Sequence, residues 1–110
     1  MDFQELKKQL KEYKRIKGYE KITANQIFAL QRKFVEEATE CARCGRREWL
    51  SLDHIVPFSL LEQLGVDMKV DDDDENWQIL CRPCNVFKAN RLDFTNPKTK
   101  EILLRYINKI

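Results

Sequence analysis

Four cysteines and one histidine are the residues of this chain whose types and spacing could do chemistry. Cys41-Ala-Arg-Cys44 and Cys81-Arg-Pro-Cys84 are two Cys-x-x-Cys pairs, and they bracket the single histidine, His54, in Leu52-Asp53-His54-Ile55-Val56-Pro57. Four thiolates are a complete ligand set for tetrahedral zinc. Two disulfides are the other use of four cysteines. The paired Cys-x-x-Cys spacing recurs in structural zinc sites, and nothing at the N-terminus reads as a signal peptide, so zinc is the expectation. The metal would then close a longer loop than that of a compact zinc finger, with His54 inside it. With the thiolates committed, the imidazole is left for acid–base work, for which its ordinary titration range suits it.

Several elements must position these residues. Phe3, Leu6, Leu10 and Tyr13 recur at helical spacing while Lys7, Lys8, Lys11, Lys14 and Arg15 fill the other face, which predicts an amphipathic helix over residues 2–17 with Gly18 as its stop. A second helix is predicted from Thr23, whose hydroxyl caps the first turn while Gln26 returns the bond, through Ile27, Leu30, Phe34 and Ala38. After a tight turn at Cys44-Gly45, Trp49-Leu50-Ser51-Leu52 reads as a strand leading into Asp53-His54. Pro57 breaks it, residues 59–64 read as a short helix, and an acidic run follows at Asp71–Glu75. Trp77-Gln78-Ile79-Leu80 reads as a second strand, and Pro83 suits the first turn of a helix carrying Cys84, Asn85, Lys88 and Ala89. Asn96-Pro97 opens a last helix, with Leu103, Tyr106, Ile107 and Ile110 available to pack.

Charge is polarised rather than large. Twenty basic and 18 acidic side chains give the 110 residues a net +2, which alone marks no class of partner. Residues 1–17 hold six basic and three acidic groups, residues 82–100 five and one, and residues 62–75 one and seven. No apolar run approaches the roughly 18 residues of a membrane span. Reduced, metal-binding cysteines suit the cytoplasm, and a soluble cytoplasmic protein is expected.

Taken in order, Cys-x-x-Cys, Leu-Asp-His-Ile-Val-Pro and Glu-Asn-Trp-Gln-Ile-Leu-Cys-x-x-Cys-Asn-x-x-Lys resemble the HNH endonuclease family, from residue 41 to about 91. The resemblance implies an α+β fold: a ββα-metal core stapled by a four-cysteine zinc site, with two N-terminal helices and one C-terminal helix packed on it. One domain, 1–110, would divide into a helical extension 1–40, a core 41–94 and a terminal helix 95–110. The implied activity is metal-dependent hydrolysis of DNA, leaving 5′-phosphate and 3′-hydroxyl ends. His54 would be the general base, Asp53 and Asn85 would hold Mg²⁺ or Mn²⁺, and Asn76 would brace the backbone on both sides of the loop behind His54. Asn85 is preferred to Asn90 as the last motif residue because it directly follows Cys84. Arg82, Lys88 and Arg91 share that helix and would meet phosphate, and Arg43, Arg46 and Arg47 crowd the first cysteine pair and could do the same. The 21 residues between His54 and Asn76 depart from the family's shorter, glycine-rich connection.

Blander readings stand beside these. A histidine beside an aspartate is often only a surface pair, and the acidic run is expected to be solvated, its charge keeping that loop away from DNA. The lysines of the first helix are equally a DNA-tracking stripe or a wet face. Trp49 and Trp77 read as core. The rival function is a non-catalytic zinc module that binds nucleic acid or a protein; it explains the cysteines but not Asp53, His54 and Asn85 together. Partners expected are DNA and, because no second DNA-reading motif is present, a homodimer mate or a separate recognition partner, with no membrane.

Overall fold

The computed structural model describes residues 1–18, 23–69 and 72–108. At its centre is an antiparallel pair of short strands, β1 (Leu50–His54) and β2 (Trp77–Cys81), in the register Leu50↔Cys81 to His54↔Trp77. Helix α4 (Arg82–Lys88) starts directly at the end of β2, with Pro83 in its first turn where the missing N–H costs nothing. Two strands and this helix, with five helices in total among the described residues, make the α+β, ββα-metal arrangement that the resemblance implies.

Two helices precede the hairpin. In α1 (Phe3–Lys17) the Asp2 carboxylate accepts from Glu5 N–H at 2.8 Å, and Gly18 closes the C-terminus in the left-handed conformation at φ 75°. In α2 (Ala24–Glu36) the capping box is formed, Gln26 N–H to Thr23 Oγ1 at 3.3 Å and Thr23 N–H to Gln26 Oε1 at 2.7 Å. The helix ends two residues before Ala38. Phe3, Ile27 and Leu30 close over Trp77, and the rings of Phe3, Phe34 and Trp77 meet edge-to-face at centroid separations of 5.6 to 6.4 Å. Such pairs favour crossed over stacked geometry because the ring edge is positive and the face negative. Tyr13, expected on the buried stripe, is exposed.

A second core forms behind the hairpin's far end. After β1, Ile55 and Val56 join Leu61 of α3 (Phe58–Gln63), Met68, and Ile102 and Tyr106 of α5 (Lys98–Asn108). Burial pushes the Tyr106 hydroxyl up to about 12, with the nearby charges of Asp73 and Asp72 adding to it. Thr99, Ile102 and Tyr106 are the buried face of α5, so Ile107 points to solvent instead of packing, and Ile110 lies outside the described residues. Among the described residues no helix is long and apolar enough to cross a membrane.

One expected core residue is outside. Trp49 precedes β1 with a left-handed φ of 55° and is 65% exposed. Its carbonyl accepts from Arg82 N–H at 2.9 Å, so the strained residue is the bend that turns the chain out of the first cysteine pair and against α4. Trp77 is buried.

Candidate active site and metal centre

The two cysteine pairs reach one point from two elements. Cys41 and Cys44 sit in a turn closed by Cys41 N–H to Arg46 O at 2.7 Å and Gly45 N–H to Cys41 O at 3.0 Å, while Cys81 ends β2 and Cys84 lies in the first turn of α4. Their four Sγ atoms lie within 4.8 Å of one another. Tetrahedral zinc with Zn–S bonds of about 2.3 Å calls for S···S separations of roughly 3.8 Å, so the set fits that ion with small adjustments. None of the four is in a disulfide. Burial opposes ionisation of Cys41, but backbone N–H groups of Cys81, Cys44 and Arg43 outweigh it and bring the thiol down to about 6. Cys84 is pushed the other way, to about 12, by burial and then by its bonds to the other three sulfurs. Two such thiols side by side are a ligand set completed by a dication.

At the far end of β1, Asp53 and His54 turn to different neighbours. Asp53 is buried; its Oδ2 accepts from Gln78 Nε2 at 2.8 Å and lies 3.1 Å from Lys88 Nζ. Lys88 also donates to the His54 carbonyl at 2.8 Å, and its side chain is 2% exposed. One turn before it, Asn85 Nδ2 donates to Ser51 Oγ at 3.0 Å, two residues before Asp53 on the same strand face. The His54 ring faces the segment before β2, where Nε2 is 2.9 and 3.1 Å from the two carboxylate oxygens of Asp72, and Phe58 meets it edge-on at 5.6 Å. Asn76 is fully enclosed behind it: Oδ1 accepts from Val56 N–H at 2.8 Å and Nδ2 donates to Val56 O at 3.0 Å. Its own carbonyl accepts from Ile55 N–H, also at 2.8 Å, so the backbone leaving His54 is tied on successive residues.

Residues 41–91 match the family model of HNH endonucleases. They form an HNH endonuclease domain. No match came from comparison with curated proteins or with solved structures. An HNH domain implies a nucleic-acid substrate and metal binding, and the elements it spans here are β1, α3, β2 and α4.

Of the site residues expected in this HNH domain, the structure brings together the four cysteines, and it groups Asp53 with Lys88 and, through Ser51, with Asn85. Lys88 is not at the surface where phosphate contact was expected. The helical spacing that puts it on the face of Asn85 turns that face inward on β1, and the ammonium neutralises the buried Asp53 carboxylate. Arg82 and Arg91 are exposed on α4 and at its end. Arg91 lies over the exposed ring of Phe87 at 5.3 Å, Arg43 at 4.4 Å from the same ring, and Arg46 5.4 Å from Trp49.

Asp53 and Asn85 are oxygen donors of the type a hard cation takes, with the Lys88 ammonium 3.1 Å from Asp53 Oδ2. With Asn85 Nδ2 spent on Ser51, its Oδ1 keeps acceptor capacity, and among the described residues Asp53 Oδ1 meets only the long 3.5 Å approach of Lys88 Nζ. A carboxylate and an amide oxygen are the ligands Mg²⁺ or Mn²⁺ takes alongside waters.

Three residues escaped the sequence reading. Gln78 follows from the register, since it is the cross-strand partner of Asp53. Phe87 gave no signal beyond its place between Lys88 and Cys84. Asp72 was assigned to a solvated run and is instead buried, bonded to His54, to Trp77 Nε1 at 2.7 Å and to Gln31 Nε2 at 2.7 Å. The rest of that run is also engaged: Asp73 caps the 3-10 turn Asp74–Asn76, and Asp74 pairs with Lys7 at 3.0 Å. Asp71 lies outside the described residues.

Proposed function

We propose that this chain is a metal-dependent endonuclease that hydrolyses DNA phosphodiester bonds, with His54 as the general base. The observation that carries the reading is the braced end of β1: Asn76 holds Val56 by both backbone groups, fixing the segment from which His54 and Asp53 project. A non-catalytic zinc module accounts for the cysteines but not for Asp53, His54 and Asn85 together beside that brace.

In this reading His54 takes the proton of a water as its oxygen attacks phosphorus. The bond from phosphorus to the 3′ oxygen breaks, leaving a 5′-phosphate and a 3′-hydroxyl. Asp53 and Asn85 would hold Mg²⁺ or Mn²⁺, which supplies Lewis-acid stabilisation of charge on the phosphate and the leaving oxygen when bound. Arg82 and Arg91 stand exposed to meet the backbone phosphates, and the four-cysteine site would carry zinc as a staple. Each visit cuts one strand.

The test is conversion of supercoiled plasmid to nicked and linear forms by the zinc-loaded protein, with Mg²⁺, Mn²⁺ or neither. Metal-dependent nicking that falls about 10²- to 10⁴-fold in His54→Ala, with folding retained, is the expected outcome. Binding without cleavage under every metal would leave the zinc-module reading in its place.

A further inference from the structure

We propose that Asp72 is the positioning residue of the base: its carboxylate holds the His54 ring in the tautomer protonated on Nε2, leaving the Nδ1 lone pair as the acceptor of the water proton. What Nδ1 is used for rests on the nuclease reading; the anchoring and the tautomer stand on geometry alone.

The direction of the bond follows from the other donors. Indole N–H donates and never accepts, and Trp77 Nε1 lies 2.7 Å from Asp72 Oδ1. Gln31 Nε2 lies 2.7 Å from Oδ2. One N–H donor already points at each carboxylate oxygen, so Asp72 is the accepting partner and the imidazole nitrogen at 2.9 Å is its third donor. A neutral ring that donates through Nε2 has its lone pair on Nδ1. Among the described residues Nδ1 has no hydrogen-bond partner.

The anchor is rigid because its own partners are. Asp72 has a side chain 2% exposed, against 15% for His54, so the ring leans from a buried carboxylate toward solvent. Trp77 begins β2 and is wedged between Phe3 and Phe34, and Gln31 is on α2. Phe58 stands edge-on to the ring and limits its rotation about the Nε2 bond. The carboxylate touches neither the water nor the phosphate in this scheme; it acts through the ring it orients.

The chain has a single histidine, so imidazole ¹⁵N signals need no assignment. Long-range ¹H–¹⁵N correlation on the zinc-loaded full chain, at a pH where the ring is neutral, should show a protonated Nε2 and an unprotonated Nδ1. The opposite tautomer, or an even mixture of the two, overturns the proposal whatever the variants do. In Asp72→Asn the oxygen kept for Trp77 is neutral and an NH₂ stands where Oδ2 lay 3.1 Å from Nε2, so the preference for the Nε2-protonated tautomer is weakened. Plasmid nicking by this variant should show kcat lower by about 10²- to 10⁴-fold with KM unchanged, as when the orienting aspartate of a serine-protease triad is replaced by asparagine. A raised KM with unchanged kcat, or a wild-type tautomer with wild-type kcat, would also overturn it. Wild-type protein that never nicks would remove the nuclease reading, while the wild-type spectrum still decides the anchoring.

Discussion

Asn76 and Lys88 are the two residues on which the site's interior depends most, and they fail in different ways. Truncating Asn76 to alanine strands the N–H and C=O of Val56 in a fully enclosed place, and each buried polar group left unpaired costs about 1–3 kcal/mol. Asn76→Ala is therefore expected to lose about 2–4 kcal/mol in denaturant unfolding, with nicking lost because the strand end loosens. Lys88→Met leaves Asp53 charged and uncompensated inside the protein, a loss of about 3–5 kcal/mol for a buried pair. Because a dication competes with that ammonium for the carboxylate, Mg²⁺ should raise the melting temperature of Lys88→Met more than that of the wild type; equal shifts would place the cation elsewhere. The bracing role of Asn76 was legible in advance only through the HNH resemblance, which implies an amide bonded to backbone behind His54. The partners of Asp72 were not. Gln31 is 41 positions away, and no local pattern says which aspartate of a run meets it.

At the scale of elements, capping chemistry carried most of the prediction. The Thr23–Gln26 box and the Gly18 stop are local, so a sequence window holds all their atoms, and the helices begin and end within two residues of where those signals put them. Thr23→Ala should cost about 1 kcal/mol, read as a small drop in melting temperature with zinc content unchanged. The small size matters, because α2 supports Asp72 through Gln31 and a frayed first turn lies a full helical turn and more from that contact. Trp49 was misplaced for the opposite reason: alternation over four residues does not separate a strand's first residue from the left-handed bend before it. The inward face of α5 was likewise set by which side met Leu61 and Met68, a fact of docking and not of periodicity.

For the molecule as a whole, a metal on the four cysteines would tie the turn at residue 41 to the start of α4. Chelation should unfold the hairpin and α4 together, visible as loss of helix signal and of cooperative melting, because binding of structural zinc is coupled to folding. The thiols give that coupling a pH dependence. Cys84, held at about 12, is protonated at neutral pH and must release its proton to the metal, so zinc affinity rises with pH through neutrality. Cys41, held down to about 6, adds a second loss only as pH falls through that value. Zinc titration calorimetry at pH 7 in buffers of differing ionisation enthalpy should show at least one proton released. The cysteine framework was fully legible, being a matter of spacing, and so was the ββα core it closes; the way α1 and α2 cover Trp77 was not, since it depends on side-chain shapes meeting at long range.

The two tryptophans divide the protein optically. Trp49 stands in water beside Arg46 at the cysteine turn, while Trp77 is sealed against Phe34 with its N–H on Asp72. In Trp49→Phe the remaining fluorescence would come from the indole that shares a carboxylate with His54. Its emission would then report directly on the carboxylate that holds His54, without substrate and without turnover.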